Sequence, residues 1–363
     1  MTGTHLHEHT RGALTADDLR FSPPNLSEDL LEPFLRQHWG IEGELSRLSG
    51  ERDQNFRITA ADGSRYVFKI ASPVEDLTLV DFQIQALLYL EASDPGIPIP
   101  RIRRSLKGIL FETLTTDQGD HAVRVLSWVD GVRLGDFEPP SHDTIAQIGA
   151  LQGRICRAFR GFEHEGSSHF MPWDILNGLV VSESLRNDYL QGDLAERCAP
   201  VLEHLSTYAL PRMRELPHQI IHNDAHSGNV LCDPTDPATI TGVIDFGDLV
   251  HRPIVVDLAT SLASIMETSE TPISASAALV GGFVQYSSVP PEQLELVYDA
   301  LLARAIMIVQ LLQFRAENTV VDASLVEEDI PDVKRGLERA LAMNRTEFHD
   351  ALRDAVSSRS ADE

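Results

Sequence analysis

Residues 222–229 read HNDAHSGN, and residues 244–248 read IDFGD. The first stretch contains a carboxylate, Asp224, followed five positions later by Asn229, and the second contains another carboxylate, Asp245. Apolar runs at 219–221, 230–232 and 240–244 predict short strands, and DPTDP at 233–237 predicts the turn between the last two. We therefore expect the polar side chains to lie on rigid strand ends around one pocket.

These residue types suit phosphoryl transfer, in which a protein contributes mainly position and charge. Asp224 would accept a hydrogen bond from an attacking hydroxyl group and take its proton late in the reaction. The side-chain oxygen of Asn229 and the carboxylate of Asp245 would hold Mg²⁺, which prefers a few protein oxygens together with phosphates and water. The order H-x-D-x-x-x-x-N followed by D-F-G is that of kinase catalytic loops.

Two other interpretations of this segment are open at the level of sequence. Asp and Asn are common in turns, so the segment could be a loop with solvated acids. His222, Asp224 and His226 could also form an H-x-D-x-H cluster of metal ligands in a hydrolase. The hydrolase interpretation leaves Asn229 and Asp245 without roles.

The two motifs together resemble those of the aminoglycoside phosphotransferase and choline kinase-like superfamily of small-molecule kinases. The resemblance implies an α+β protein-kinase-like fold, with a small antiparallel-sheet N-lobe and a larger, mostly helical C-lobe. It also implies that His222 and His226 support the catalytic loop and that a nucleotide is bound between the lobes. We expect the N-lobe at 26–131, the C-lobe at 132–356, and flexible tails at 1–25 and 357–363.

The N-terminal half fits a nucleotide-binding lobe. Residues 45–70 read as strand, loop, strand, tight turn, strand. The first loop has one glycine and is no G-x-G-x-x-G cradle, but Asp53 and Asn55 in it would cover the phosphates. The run at 121–131 fits the hinge between the lobes, where the backbone of Ser127 and Val129 would meet the purine edge.

Lys69 is the candidate ligand of the α- and β-phosphates. It ends the apolar run VFKI and is one of only three lysines in the chain. Kinase-like folds pair this lysine with a helix Glu, but the matching position in the predicted helix 77–90 holds Gln83. Gln83 or Asp81 would then face the lysine. The glutamine and the loop sequence DQNF are similar to those of the hydroxylysine kinase-like branch.

Residues 170–175, FMPWDI, resemble a W-D-L element of the same branch. Trp173 could place its ring beneath a substrate ammonium group, and Asp174 could pair with that group. The alternative is a core tryptophan followed by a helix-capping aspartate. Asp248 is a further candidate for binding the acceptor. Only seven residues separate it from an expected helix start at 256, which leaves no platform for a peptide and favours a small acceptor.

Composition narrows the partners. With 30 basic and 55 acidic residues, the formal charge of -25 disfavours nucleic acid and anionic membranes and suits a cationic acceptor. Cys156, Cys198 and Cys232 are widely spaced and odd in number, which favours a reduced, cytoplasmic protein. No signal peptide is expected at the N-terminus, and no apolar run is expected to approach a membrane span.

The sequence therefore predicts a kinase that transfers the γ-phosphoryl group of ATP or GTP to a hydroxyl group of a small, amine-bearing acceptor. Amino alcohols of the hydroxylysine or ethanolamine type lead, followed by aminoglycosides and homoserine. Because the helix Glu is missing, a catalytically silent nucleotide-binding protein is the alternative. The acceptor, the choice of nucleotide and the oligomeric state are open at this level.

Overall fold

The computed structural model describes residues 23–185, 189–318 and 323–360. It has two lobes, an antiparallel sheet with two helices and a larger helical lobe, so the predicted α+β protein-kinase-like fold is confirmed. The predicted N-terminal tail lies outside the described residues as far as position 22, and the C-terminal tail from position 361. Residues 357–360 belong to the last helix, so the prediction that the tail begins at 357 is wrong.

The N-lobe is one antiparallel sheet flanked by two helices. Its elements in chain order are α1 (Glu28–Trp39), β1 (Gly43–Leu48), β2 (Gln54–Ala60), β3 (Arg65–Ile70), α2 (Leu77–Ser93), β4 (Ile102–Arg103), β5 (Glu112–Thr116) and β6 (Gly119–Ser127). The strand order is β1-β2-β3-β6-β4, and β5 also pairs with β6. The predicted strand–loop–strand–turn–strand pattern is present, with β2 starting slightly earlier than expected.

Apolar spacing explains how the N-lobe packs. Leu31, Leu35 and Trp39 recur every four residues along α1, so one stripe of that helix is buried against the sheet. Helix α2 is apolar on most of its surface because it lies between the lobes, and Phe82 and Leu90 pack in a cluster with residues of the C-lobe. This shared cluster holds α2 beside the catalytic segment.

The C-lobe consists of helices around two small sheets, one of three strands and one of two. Its elements are β7 (Val132–Arg133), α3 (His142–Ala158), α4 (Gly178–Ser184), α5 (Gly192–His204), α6 (Leu210–Glu215), β8 (Gln219–Ile221), β9 (Val230–Cys232), β10 (Ile240–Val243), β11 (Val250–Arg252), α7 (Ile254–Thr268), α8 (Pro272–Phe283), α9 (Pro291–Leu294), α10 (Val297–Asn318), α11 (Ala323–Ala342) and α12 (Arg345–Ser360). Strand β9 pairs with β10 and β7, and β8 pairs with β11, all antiparallel. The sequence did not predict β11.

Helix α10 corrects one prediction. It has 22 residues, and an 18-residue window within it has a mean hydropathy of 1.5, enough in length and composition to cross a membrane, so the prediction that no apolar run approaches a span is wrong. In the structure, 83% of its apolar window is buried among the other helices. Its hydropathy is therefore that of a helix in the middle of a protein core.

Candidate active site

Helix α7 holds the catalytic loop by its polar side chains. Asp257 Oδ1 accepts a hydrogen bond from the backbone N–H of Asn223 at 2.7 Å, and Thr260 Oγ1 donates to the carbonyl oxygen of the same residue at 3.1 Å. Ser261 Oγ donates to the carbonyl oxygen of Ala225 at 2.6 Å. These partners lie on one helix face because their spacing is three and four residues. They fix the loop in a conformation in which Asn223 has a φ of 64°.

Asp224 lies at the centre of the site and has three polar neighbours. Its Oδ2 accepts a hydrogen bond from Asn229 Nδ2 at 2.6 Å, and its Oδ1 lies 3.3 Å from Arg304 Nη2. His226 Nε2 lies 3.7 Å from Oδ2. Burial and the nearby Asp248 carboxylate raise the pKa of Asp224 well above its usual value, whereas the Arg304 guanidinium lowers it. Arg304 therefore favours the deprotonated form that a general base requires.

Asn229 and Asp245 present the oxygen atoms that a divalent cation would need. The amide nitrogen of Asn229 is engaged by Asp224, which leaves its amide oxygen for a cation. Asp245 follows β10 with a φ of 62°, and its Oδ1 lies 3.7 Å from Lys69 Nζ. Lys69 is the main reason that the pKa of Asp245 is lowered, so this carboxylate is ionised at neutral pH. The two groups fit a hard cation such as Mg²⁺.

His222 and His226 orient the loop through backbone hydrogen bonds. His222 Nδ1 accepts from the N–H of Asp224 at 3.2 Å, and its ring packs edge-on against Phe246 with centroids 4.6 Å apart. Burial lowers the pKa of His222 to about 4, so the ring is neutral at pH 7. His226 Nδ1 accepts from the N–H of Gly228 at 3.1 Å.

The structure does not support the hydrolase interpretation. Both of these imidazole Nδ1 atoms accept backbone hydrogen bonds. Over residues 23–185, 189–318 and 323–360, no group of three or more His, Cys, Asp or Glu side chains is arranged to hold a metal ion. A histidine-based metal centre at 222–226 therefore has no structural basis.

A cavity of about 620 Å³ lies between the lobes. The predicted nucleotide residues that line it are Asn55, Lys69, Ser127 and Val129. Asn229 and Asp245 line its inner end, where a smaller cavity of about 80 Å³ continues to Asp53, Asp224 and Asp248. The cleft thus leads from the hinge, past the candidate cation ligands, to the candidate base.

The prediction for the partner of Lys69 is wrong. Lys69 Nζ lies 3.5 Å from Asp53 Oδ2, so the partner comes from the phosphate-side loop and not from helix α2. Asp81 lies two residues before Gln83 and therefore on the opposite side of α2, where it contacts His164 Nε2 at 3.1 Å. Gln83 faces the sheet but hydrogen-bonds to other groups.

Asp174 does not line the smaller cavity beside Asp224. Its carboxylate is fully buried, accepts a hydrogen bond from Arg252 Nε at 2.7 Å, and accepts another from the N–H of Leu176 at 3.0 Å. It therefore caps the 3₁₀ turn Ile175–Asn177 and anchors β11. The capping alternative describes this residue, and the prediction of a substrate contact is wrong because the carboxylate is already paired.

Trp173 stacks against cations of the protein itself. The guanidinium groups of Arg304 and Arg315 each lie 5.8 Å from its ring centroid. Its Nε1 donates to Glu51 Oε1 at 3.3 Å, and the residue is 8% exposed. The two arginines reach the ring because they lie eleven residues, or about three turns, apart on α10. The prediction that a substrate ammonium group lies against the face of this ring is therefore not supported.

Sequence reasoning missed the contacts between the phosphate-side loop and the C-lobe. Glu51 Oε2 pairs with Arg315 Nη1 at 3.2 Å, and burial raises the pKa of Glu51 while Arg315 lowers it. Arg52 forms an ion pair with Asp248 and donates to the carbonyl oxygen of Gly247 at 3.2 Å. The available signal was the presence of Arg304 and Arg315 in a mostly apolar helix, since buried charges require partners.

A two-lobed α+β chain with this loop and cleft defines the class of protein-kinase-like phosphotransferases. The chain belongs to the phosphotransferase enzyme family, because the sequence model of that family matches residues 44–295. It is a small-molecule kinase, and the group that it phosphorylates is a hydroxyl.

Curated relatives and solved structures agree with this assignment. The chain is similar to hydroxylysine kinase of Danio rerio, at 23% identity over 275 residues, with 72% of this chain and 76% of that protein covered. It is similar to hydroxylysine kinase of Mus musculus at 24% identity over 263 residues, covering 66% and 69%.

Two solved structures share the fold over nearly their whole length. An amicoumacin kinase in complex with AMP-PNP, Ca²⁺ and Ami has a TM-score of 0.64 and 17% identity, with 90% of this chain and 94% of that chain covered. A microcompartment-associated aminopropanol kinase has a TM-score of 0.66 and 13% identity, covering 91% and 98%. At these identities the likeness establishes the fold.

Proposed function

We propose that this protein transfers the γ-phosphoryl group of ATP or GTP, with Mg²⁺, to a hydroxyl group of a small amino acid-like amino alcohol of the hydroxylysine type. The observation that carries the proposal is the meeting of Asp224, Asn229, Asp245 and Lys69 where the two cavities join. Two observations support it. The similar amicoumacin kinase structure is a complex with AMP-PNP and Ca²⁺, and the similar aminopropanol and hydroxylysine kinases are named for amine-bearing acceptors. The three cysteines are free and buried, in keeping with a cytoplasmic location.

The residues divide the work of the reaction among them. Asp224 accepts the hydrogen bond of the acceptor hydroxyl and orients it for in-line attack, then receives its proton. Arg304 and Asn229 hold the Asp224 carboxylate from both sides. Lys69 contacts the donor phosphates. When bound, Mg²⁺ held by Asn229 and Asp245 would neutralise charge on the phosphates.

The charges around the smaller cavity beside Asp224, where the acceptor would bind, favour a zwitterion. Arg52, Arg304 and Arg315 surround this region together with the carboxylates of Glu51 and Asp248. A molecule that carries both ammonium groups and a carboxylate, such as 5-hydroxylysine with two ammonium groups and one carboxylate, can form ion pairs with both sets. A polycationic aminoglycoside has no carboxylate to pair with these three guanidinium groups, and like charges in a partly desolvated site repel strongly. Hydroxylysine-like acceptors are therefore favoured over ethanolamine and over aminoglycosides.

The catalytically silent alternative loses its main support. It depended on the absence of a helix Glu beside Lys69, but Asp53 Oδ2 supplies a carboxylate 3.5 Å from Lys69 Nζ. The lysine is therefore oriented without that glutamate.

An acceptor screen with both nucleotides tests the proposal. ADP or GDP formation is measured with 5-hydroxylysine, homoserine, ethanolamine, 1-amino-2-propanol and kanamycin, and phosphorylated products are identified by mass spectrometry. We expect the highest kcat/KM with 5-hydroxylysine. Absence of turnover with every acceptor, despite binding of the Mg²⁺-nucleotide, would favour a silent protein. Fastest turnover of kanamycin would contradict the zwitterion argument.

Asp224→Asn is the mechanistic variant. It should lower kcat by roughly 10²- to 10⁴-fold, the usual contribution of a positioned general base, while the Kd of the Mg²⁺-nucleotide changes little. Glu215→Gln alters one exposed acid on α6 and is the matched control. If the rate of Asp224→Asn equals that of the control, Asp224 is not the base.

A further inference from the structure

Two cations face each other on the phosphate side of the cleft. Lys69 on β3 and Arg124 on β6 are direct cross-strand partners in the antiparallel register. Both line the interlobe cavity and its smaller continuation. Like charges in directly opposed positions destabilise a sheet unless an anion lies between them. The pair therefore indicates an anion-binding surface.

One carboxylate of the protein bridges the pair. Asp53 Oδ2 lies 2.9 Å from Arg124 Nη2 and 3.5 Å from Lys69 Nζ. The Arg124 side chain is 4% exposed, and its other terminal nitrogen, Nη1, is buried without a hydrogen-bond partner among the described residues. Two cations and one carboxylate leave one positive charge, together with an unused donor, beside the cavity. The Asp245 carboxylate, 3.7 Å from Lys69 Nζ, is counted with the divalent cation that it would hold.

Gln83 completes this group as a neutral connector. Its Oε1 accepts from Arg124 Nη2 at 2.8 Å, and its Nε2 donates to the carbonyl oxygen of Gly247 at 3.4 Å, two residues after Asp245. A glutamate at this position could accept from Arg124 but could not donate to Gly247. It would also cancel the remaining positive charge, because Asp53 already supplies a carboxylate.

We propose that Lys69, Arg124, Asp53 and Gln83 form a phosphate-binding group that replaces the usual lysine–glutamate pair, with Arg124 as a second cation for the donor phosphates. The glutamine at position 83 then compensates for Asp53. This inference rests on the proposed kinase function and adds Arg124 to its nucleotide site. The affinity for the phosphate chain follows the net charge of the group, which is +1 in the natural protein.

Nucleotide binding without an acceptor tests this charge rule. Calorimetry measures the Kd of Mg²⁺–AMP-PNP and of adenosine, which lacks phosphates. Arg124→Gln and Gln83→Glu each reduce the net charge to zero, so each should weaken AMP-PNP binding at least tenfold and leave adenosine binding unchanged. Gln85→Glu is the matched control, because it adds the same charge to α2 but its side chain contacts Asp81. It should alter either Kd by less than twofold.

The double variant Asp53→Asn, Arg124→Gln separates electrostatics from structure. It restores the charge of +1 through Lys69 alone, so AMP-PNP affinity should recover at least half of the logarithmic loss seen in Arg124→Gln. If the double variant binds more weakly than the single one, or if Arg124→Gln weakens adenosine equally, the group is structural and the inference fails. If the wild-type protein binds neither Mg²⁺–AMP-PNP nor Mg²⁺–GMP-PNP, the proposed function itself fails, which is a different result.

Discussion

Asp257 shows how the catalytic loop depends on a buried charge. The residue is 1% exposed, and one of its oxygens, Oδ2, has no hydrogen-bond partner among the described residues. Burial raises its pKa from 3.8 to about 6, against the lowering effect of hydrogen bonds from the backbone of Asn223 and His222. The carboxylate that orients the loop is therefore held in a charged form at neutral pH at a cost in stability.

This cost predicts a pH dependence. Because the pKa of Asp257 is raised in the folded state, protonation of this residue stabilises the fold. This contribution to the free energy of unfolding is complete below pH 3.8 and is lost as the pH rises through about 6. A rise from 3.8 to about 6 corresponds to about 3 kcal/mol in total. Asp257→Asn removes this titration but keeps an oxygen for the Asn223 N–H. Relative to that variant, the wild-type free energy of unfolding should fall by about 2 kcal/mol between pH 4.5 and pH 7.5 in urea titrations. A constant difference between the two proteins over this range would contradict the assignment.

The residues that the sequence could predict are those with close neighbours along the chain. Asp224, Asn229 and Asp245 belong to two short motifs whose spacing alone relates them. Arg304 lies eighty residues from the aspartate that it contacts, so its role depends on how α10 packs. Asp53 replaced the expected partner of Lys69 because the register of β2 and β3 brings the loop end beside the lysine, and no local pattern specifies that contact.

At the scale of elements, the contact between α3 and α8 depends on glycines. A Cβ atom on Gly282 of α8 would collide with the backbone carbonyl of Ala146, and one on Gly149 of α3 would collide with that of Leu279. The two helix backbones therefore touch directly. Such close approach requires the absence of side chains on both helices, and it fixes how α8 packs beside the helix that follows the hinge.

Adjacent glycines of α8 give a matched test. Gly282→Ala forces the two backbones apart and should lower the free energy of unfolding by roughly 3 kcal/mol or more, the upper range for overpacking. Gly281→Ala meets nothing closer than the Ala355 side chain at 3.8 Å, so it should be neutral or stabilising by up to about 1 kcal/mol. Chemical denaturation of both variants measures the difference. Equal stabilities would show that the helices do not pack through this glycine.

The sequence predicted elements well where their pattern was long. The predicted helix at 77–90, which is α2, and the predicted turn between β2 and β3 are both present, since several residues contributed to each pattern. Strand β11 has three residues, too few to show alternation, and is recognised only through its pairing with β8. Helix α10 contains a long, mostly apolar window because it is buried among other helices, and a membrane span has the same composition.

At the scale of the whole molecule, the charge distribution is uneven. The chain carries a formal charge of -25, yet arginines gather on both sides of the cleft. The acidic exterior maintains solubility and attracts amines at long range, whereas the interior of the cleft has the cations that phosphates and a carboxylate require. Net charge alone therefore predicted an amine-bearing acceptor but gave no indication of the arginines.

The phosphate-side loop connects the lobes through two ion pairs, Arg52 with Asp248 and Glu51 with Arg315. Both pairs are partly buried, since their side chains are 12–24% exposed. The loop should therefore leave the surface of the C-lobe only when these contacts open locally. Weakening one pair should increase that opening without unfolding either lobe.

Glu51→Gln tests this connection because it keeps the shape of the side chain and removes its charge. Loss of roughly 1 kcal/mol from a partly screened pair should accelerate tryptic cleavage after Arg52 about fivefold at pH 8, measured by mass spectrometry, because Arg52 is held against Asp248 while the loop is closed. Glu42→Gln breaks the exposed pair with Arg36 inside the N-lobe and should leave cleavage after Arg52 unchanged. A uniform acceleration of cleavage over both lobes would indicate global destabilisation. An unchanged rate of cleavage after Arg52 would show that the Glu51–Arg315 pair does not hold the loop against the C-lobe, because neighbouring contacts would then suffice to keep it closed.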